Sequence, residues 1–302
     1  MSEKLANDDK TSQTKVALMS MAALFVMLTI SVVVALLSSL GMPTQLGLTV
    51  PMWALIIALA SQWLGFVHAY FYQTERYYDL VGAIANITVI SFTLSFAEHR
   101  DLRALLLAVL IILWALRLGS FLFVRILNDG GDGRFDDIKT NFFRFLLTWT
   151  LQGVWVFFIQ LCAILAISAQ NTQPLDGFAI AGGILWLLGM TIETVADWQK
   201  RRFRSQPQNK DQFINTGLWA RSRHPNYFGE IVLWLGVAVV AWPVLSAWMY
   251  LGLLSPCFVI FLLSRVSGIP LLEARADRRW EGNADYLHYK NTTPVLIPKL
   301  RW

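Results

Sequence analysis

The sequence predicts an all-α, polytopic membrane protein, built as a bundle of about eight transmembrane helices, with seven as the alternative count. Of its 302 residues, 56% are hydrophobic and only 15% are charged, whereas soluble domains carry about a quarter charged residues. Runs of about 20 mostly apolar residues, the length that crosses a bilayer, recur along the chain. The 13 Trp and 8 Tyr residues also suit a membrane protein, because amphipathic rings settle at the headgroup level.

The apolar runs predict the elements in order. Candidate spans cover residues 17–39, 51–72, 78–97, 103–127, 145–169, 178–198, 227–243 and 246–266. The seventh is short and only Pro243 separates it from the eighth, so these two could form a tight hairpin, which leaves the count open. Residues 1–16 are polar and are predicted to be a disordered tail. The run that follows lacks a cleavage site and reads as a retained helix, so residues 17–302 are predicted to form one membrane domain.

Basic residues collect in particular loops. Lys and Arg cluster in the N-terminal tail, in 128–144, in 199–226 and in the C-terminal tail, whereas 40–50 and 170–177 contain none. An even number of spans places all these basic segments on one side, which the positive-inside rule makes the cytoplasm. We therefore expect both termini in the cytoplasm, with a bacterial inner membrane as the location. These basic cytoplasmic segments account for the net charge of +5, so nucleic acid is not an expected partner.

Residues that commonly bind metals are sparse and isolated. Cys162 and Cys257 both lie in apolar runs, which argues against a disulfide framework or a zinc site. His68 and His99 stand singly at predicted helix ends, without the spacing of metal ligands. The sequence therefore predicts no metal centre.

The first informative motif is ETVADWQKRRFRSQPQN, residues 193–209. On a helix, Glu193, Asp197, Lys200 and Arg204 share one face. The two acids fall at or just inside the membrane boundary, where ionisable groups are costly unless they are paired or face a polar cavity. Taken alone, the motif favours an interfacial stripe of salt bridges with a positive-inside cluster, and a functional site is the alternative interpretation that the next motif supports.

The second motif is GLWARSRHPNYFGEIVLW, residues 217–234. Pro225 suits the first position of a helix. Arg223 and His224 then stand just ahead of a helix N-terminus, where free backbone N–H groups favour anions. Asn226 and Glu230 follow at i, i+4. This pattern fits a bound nucleotide or, alternatively, a capped helix with a basic flank. No Gly-rich GxGxxG follows a strand, so a Rossmann site is not expected.

DWQKRRFR followed by GLWARSRHPNYFGE resembles the C-terminal signature of the steroid 5α-reductase and sterol C14-reductase superfamily, which includes bacterial reductase-like membrane proteins. The resemblance covers about residues 190–300 and, more weakly, 103–145, so residues 103–302 would be the reductase-like, cofactor-binding part. It implies a helix bundle that encloses NADPH from the cytosolic side. It also implies hydride transfer to a carbon–carbon double bond of a lipid enone or sterol.

The resemblance also implies cofactor contacts for individual residues. These positions are Glu193, Asp197, Lys200, Arg204, Arg223, His224, Asn226, Tyr227, Glu230, Tyr286 and Tyr289. Glu193 stands where many relatives have Asn. Tyr289 precedes Ile297–Pro298 in a way similar to the family's Tyr…Ile-Pro ending, and Arg275 is a further neighbour.

The substrate-polarising half of the family's pattern is different here. Steroid-reducing members polarise the substrate carbonyl with a Gln–Glu pair on one early helix and a Tyr on another, and this chain has no such pair. The nearest analogues are Tyr78 and Asp79 at the start of the third span, with Arg117 on the fourth. These three are the catalytic candidates. The alternative interpretation is that Glu75, Arg76 and Asp79 belong to a solvated loop.

The leading hypothesis is an NADPH-dependent oxidoreductase acting on the CH–CH group of a steroid-like or isoprenoid lipid. One alternative is a membrane S-adenosylmethionine-dependent methyltransferase of the isoprenylcysteine or phospholipid type, which shares an RHPxYxG motif. Asp197 and Arg204 upstream favour the reductase. A transporter or structural protein is the second alternative, but its polar residues would follow a midplane path. The expected partners are a lipid-like substrate and membrane lipids, with the protein as a monomer.

Overall fold

A computed structural model describes residues 2–299, with side chains from residue 14 onward. The helices are α1 (Ser2–Ser38), α2 (Val50–Phe71), α3 (Tyr78–Ser95), α4 (Leu102–Asp129), α5 (Phe142–Ile167), α6 (Gly177–Arg204), α7 (Pro225–Ala241), α8 (Leu254–Phe261), α9 (Ile269–Arg279) and α10 (Ala284–Thr292). Between α1 and α2, the two-residue strands β1 (Thr44–Gln45) and β2 (Leu48–Thr49) pair antiparallel. The predicted all-α architecture is confirmed.

Within the described residues, eight helical segments are long and apolar enough to cross a membrane. They are Thr14–Ser38, Val50–Phe71, Tyr78–Ser95, Leu102–Asp129, Phe142–Ile167, Gly177–Arg204, Pro225–Val244 and Ala247–Arg279. Large apolar side chains such as Phe25, Leu64 and Phe71 remain more than 70% exposed on their helices, as lipid-facing residues do. The protein is a multi-pass integral membrane protein.

The first and last spans differ from the sequence-based expectation. Helix α1 begins at Ser2, whereas the sequence predicts a disordered tail for residues 1–16. An established helix can extend into a polar segment because each added residue gains a backbone hydrogen bond. The predicted span 246–266 is instead a composite. A 3-10 segment (Ala247–Leu253) leads into α8, a π-helical turn (Leu262–Val266) and the polar helix α9.

The chain groups into two compact units where the sequence predicts one membrane domain. Unit 1 contains the residues up to Pro174 together with Val244–Gly252, and unit 2 contains Leu175–Pro243 together with the residues after Gly252. That they act as a single domain stays a prediction. Each unit is described by itself.

Unit 1 is organised around α5, whose residues from Gly153 to Ile167 are almost all buried. Helices α1, α2 and α3 pack on it. At its N-terminal end, Phe66, Phe135, Phe145 and Trp149 form an aromatic cluster. Deeper along α5, the Gln160 side-chain amide donates to the Asn86 Oδ1 at 2.8 Å, a buried polar link between α5 and α3.

Unit 2 depends on the close packing of α6 and α7. Gly182 and Gly189 on α6 face Gly229 and Gly236 on α7. A Cβ added at Gly229 would lie 2.6 Å from the backbone nitrogen of Glu193, and one at Gly236 would lie 2.6 Å from the carbonyl oxygen of Gly182. The two backbones therefore touch, as at the small-residue interfaces of membrane helices.

This packing predicts unequal effects for two similar substitutions. Gly236→Ala forces backbone atoms apart, and such overpacking costs about 1–3 kcal/mol. The control Gly183→Ala lies on α6, where an added Cβ meets nothing within 4 Å, so it should be neutral or slightly stabilising. The unfolding free energy of each variant, measured by denaturant titration in mixed micelles, tests this. Equal effects of the two substitutions would contradict the direct backbone contact.

Candidate functional site

Unit 2 contains a pocket of about 750 Å³ at the end of α6, bordered by the loop that follows it and by α9 and α10. Among the described residues, its lining includes six cationic side chains and one carboxylate, that of Glu273. The cations are Lys200, Arg204, Lys210, Arg223, Arg275 and Arg279. Such a concentration of positive charge in a concave surface attracts anions.

The last turns of α6 and the loop after it form one side of the pocket. Lys200 and Arg204 project from the end of the helix, and Lys200 lies 4.4 Å above the ring of Trp219. The Asn209 amide donates to the carbonyl of Phe203 at 3.0 Å, which folds the loop back on the helix end. The shared helical face predicted for these two cations thus points to the pocket.

The segment Arg221–His224, which supplies Arg223 and His224 to the pocket, is held by hydrogen bonds to residues near the C-terminus. The Arg223 N–H donates to the Pro294 carbonyl at 2.9 Å, and the Lys299 N–H donates to the Arg221 carbonyl at 3.0 Å. The Ser222 hydroxyl adds a bond to the Leu296 carbonyl at 2.8 Å. Helix α7 then begins at Pro225, as the motif predicts.

Glu273 on α9 joins the two adjacent residues of the motif. Its carboxylate lies 2.6 Å from Arg223 Nη1 and 2.8 Å from His224 Nε2. Burial lowers the pKa of His224, although Glu273 acts in the opposite direction. A neutral ring must carry its proton on Nε2 to donate to the carboxylate. The Tyr227 ring stacks on His224 at 5.7 Å and 9°, so the imidazole is held on two sides.

Aromatic rings form another side of the pocket. Phe213 packs against Trp280, Tyr286 and Tyr289, with ring centroids 5.4–5.7 Å apart. The Tyr286 hydroxyl donates to Asp277 at 3.0 Å, and the Tyr289 hydroxyl donates to the Trp219 carbonyl at 2.7 Å. Burial raises the pKa of both tyrosines, and the bond to Asp277 adds to the effect on Tyr286. Both therefore remain protonated donors.

A second group of polar side chains lies along the contact between α6 and α7. The Asn226 amide donates to Asp197 Oδ1 at 3.3 Å. Glu193 and Glu230 are only 2% and 7% exposed, and Gly229 packs on the backbone of Glu193. Buried carboxylates on membrane-spanning helices are costly without polar partners. These side chains therefore form a buried polar cluster between α6 and α7.

The eleven predicted cofactor residues thus divide into two sets. Six line the pocket: Lys200, Arg204, Arg223, His224, Tyr286 and Tyr289. The other five are Glu193, Asp197, Asn226, Tyr227 and Glu230, which lie on α6 and α7 outside that lining. The predicted neighbour Arg275 also lines the pocket.

The sequence interpretation missed Glu273, Phe213, Trp280 and Arg279. A usable signal was the segment EARADRRW after the last apolar run, because its spacing places Glu273 and Asp277 on one helical face. Phe213 had no signal, since a single aromatic residue in a polar loop has many explanations.

The catalytic candidates belong to unit 1. The Tyr78 hydroxyl donates to the Thr148 carbonyl at 3.1 Å, and Asp79 lies 3.7 Å from Arg125 in an ion pair. Arg117 stands about two helical turns from Arg125, with its guanidinium 5.5 Å from the Phe121 ring. None of the three lines the pocket of unit 2.

The segment before α3 is not simply a solvated loop. Glu75 is 8% exposed. Its carboxylate accepts hydrogen bonds from the Asp132 N–H at 2.9 Å and from Lys139 Nζ at 3.2 Å. Glu75 therefore ties the connection before α3 to the 128–144 loop, and the interpretation as a solvated loop is wrong for this residue.

Comparison with known proteins adds the family. A family of proteins of unknown function, DUF1295, matches residues 65–293, which include the whole pocket. A 3-oxo-5-alpha-steroid 4-dehydrogenase 1 from Rattus norvegicus is 30% identical over 137 residues, covering 44% of this chain and 46% of the relative. A steroid 5-alpha-reductase from Gossypium hirsutum is 31% identical over 119 residues, covering 39% and 41%.

A delta(14)-sterol reductase from Saccharomyces cerevisiae is 29% identical over 136 residues, covering 41% of this chain and 30% of the relative. The chain thus spans less than half of the length of the relatives it matches. No solved structure matches it significantly. The chain belongs to the DUF1295 family, within the steroid 5α-reductase and sterol reductase superfamily that its two motifs resemble.

Proposed function

We propose that the protein is an integral membrane, NADPH-dependent reductase that acts on a carbon–carbon double bond of a steroid-like or isoprenoid lipid enone. The observation that carries the proposal is the pocket of unit 2, where six cationic side chains and an aromatic wall converge. Part of its lining, including Lys200, Arg204, Arg223 and His224, comes from the two motifs that resemble the reductase signature. The names of the matched relatives, which are steroid and sterol reductases, agree with it.

The residues of the pocket fit the proposed cofactor. NADPH carries three phosphate groups, and Lys200, Arg204 and Arg223 are suited to bind them by charge-assisted hydrogen bonds. The volume of about 750 Å³ falls in the range of about 300–1,000 Å³ that is usual for ligand sites. When bound, NADPH would supply the hydride for the reduction.

The buried group on α6 and α7 is proposed to orient the nicotinamide end. Asn226 donates to Asp197, which fixes the orientation of the amide, so that its second N–H is presented as a donor in a defined direction. Glu230 follows one turn later on the same helix face. A fixed amide and carboxylate are suited to hold the donor and acceptor of a carboxamide.

The proton donor for the substrate is proposed to be Asp79 or Tyr78 in unit 1, with Arg117 as a permanently charged group that would polarise the carbonyl. Tyr78 already donates its one hydroxyl proton to Thr148, so it would have to release that bond to reach a substrate. Asp79 is held in place by Arg125. A carboxylate accepts hydrogen bonds and donates none, so Asp79 would polarise a carbonyl oxygen only in its protonated form.

The methyltransferase alternative fits the pocket less well. S-adenosylmethionine has no phosphate and carries a cationic sulfonium, which the surrounding positive charge would repel. Six cations with a single carboxylate suit a polyphosphate instead.

The orientation of the protein is part of the proposal. Both termini and the pocket would face the cytoplasm of a bacterium, because the pocket is formed by the basic segment 199–226 and by the residues after α8. A phosphatase reporter that works only after export, fused behind Trp302, should be inactive, while the same reporter inserted in 170–177 should be active. Activity of the C-terminal fusion would contradict the orientation.

The phosphate-binding role predicts a difference between two neighbouring arginines. Arg204 lines the pocket, whereas Arg202 is exposed and lies over the Trp198 ring at 5.3 Å. A hydrogen bond to a charged group contributes about 1.5–3 kcal/mol, so Arg204→Ala should weaken NADPH binding about ten- to a hundred-fold. Arg202→Ala should leave it within about two-fold, because Arg202 does not line the pocket.

NADPH fluorescence titration of the purified protein in detergent measures both variants. Unchanged affinity in Arg204→Ala would remove the phosphate assignment. Saturable binding of S-adenosylmethionine without any binding of NADPH would contradict the reductase proposal and support the methyltransferase alternative.

A further inference from the structure

We infer that Phe213 and Trp280 form an aromatic platform for the adenine base of the bound nucleotide. Their rings meet at 69°, so the base stacks on one ring and lies against the edge of the other. The inference rests on the proposed function and deepens it, by dividing the pocket into a base-binding part and a phosphate-binding part. Neither residue belongs to the two motifs or to the set of eleven positions implied by the resemblance.

The pocket lining has a cationic part and an aromatic part, which correspond to the two parts of a nucleotide. Lys200 and Arg204 come from the last turns of α6. Phe213 comes from the following loop, and Trp280 stands at the end of α9. All four line the same pocket. A nucleotide has the same two parts, an anionic phosphate chain and an aromatic base with two apolar faces.

In this aromatic wall, the rings of Phe213 and Trp280 are both partly exposed. Tyr286 is 4% exposed, and its hydroxyl bonds Asp277. The Tyr289 hydroxyl bonds the Trp219 carbonyl. These two tyrosines pack against Phe213 at ring-centroid distances of 5.4 Å, and Phe213 and Trp280 both keep exposed surface for a ligand.

Arg279 holds the two platform residues together. Its guanidinium lies 5.3 Å from the centroid of the Trp280 ring. The same group donates to the Lys210 carbonyl at 2.9 Å and lies 3.6 Å from Asp211. The segment that carries Phe213 is thus tied to the end of α9. A preformed platform needs little ordering when the base binds, which favours affinity.

A matched pair of ligands separates the two parts of the pocket. ADP carries adenine and two phosphates, whereas inorganic pyrophosphate carries the phosphates alone. Because Phe213→Ala and Trp280→Leu each remove a ring on which the base can stack, each should lower ADP affinity by about five- to a hundred-fold. Pyrophosphate affinity should stay within about two-fold in both, because neither ring carries charge. Arg204→Ala should weaken the binding of both ligands.

Two control variants keep the test interpretable. Trp198→Leu removes an exposed ring from α6 outside the pocket, and it should change neither affinity. Phe213→Trp retains an aromatic face and should restore ADP binding close to that of the unmodified protein. Isothermal titration calorimetry in detergent gives the affinities, and size-exclusion chromatography checks that each variant is folded.

The outcomes distinguish this inference from the proposed function. ADP affinity that is unchanged in Phe213→Ala and Trp280→Leu, with NADPH still bound, overturns the platform alone. Equal losses of ADP and pyrophosphate also overturn it, because the rings would then act through the shape of the pocket. Loss of ADP alone supports the platform, even if the unmodified protein does not oxidise NADPH with any enone. Absence of all adenine-nucleotide binding in the unmodified protein overturns both proposals.

Discussion

The direct contact between the backbones of α6 and α7 is the constraint on which the architecture of unit 2 depends. Four glycines remove the side chains that would otherwise separate the helices. Because of this approach, Asp197 can accept a bond from Asn226, and the buried acids Glu193 and Glu230 remain near the shared surface. A lipid environment provides no hydrophobic drive between helices, so close packing and interhelical hydrogen bonds must hold them together.

The cationic end of the same helix pair needs a different kind of support. Six like charges around one pocket repel each other and would disorder the segments that carry them. Glu273 offsets this by holding Arg223 and the adjacent His224, while Asp211 and the Lys210 carbonyl hold Arg279. Lys200 and Arg204 belong to the regular helix α6. Of the six cationic side chains, Arg223 is therefore restrained by a largely buried ion pair and Arg279 by contacts at the surface.

Most of the fold and part of the site are predictable from the sequence, for specific reasons. Long apolar runs identify the second to seventh spans to within about six residues of their observed ends, because burial in lipid demands length and hydrophobicity. The eighth is predicted too short, since α9 is polar and hydropathy does not register it. The basic face of α6 and the start of α7 at Pro225 follow from local helix geometry. The contacts of Glu273, Phe213 and Trp280 arise from residues about 50–80 positions apart in the chain, and no local pattern reports them.

The central claim, that the pocket of unit 2 binds a dinucleotide, can be tested most directly by hydrogen–deuterium exchange. The purified protein would be compared with and without NADPH, with attention to residues 200–214 and 272–289, which supply most of the pocket lining. Binding should slow exchange in these two ranges, because the ligand bridges segments that open locally when the pocket is empty. Unchanged exchange in both ranges at saturating NADPH, or slower exchange confined to unit 1, would contradict the claim.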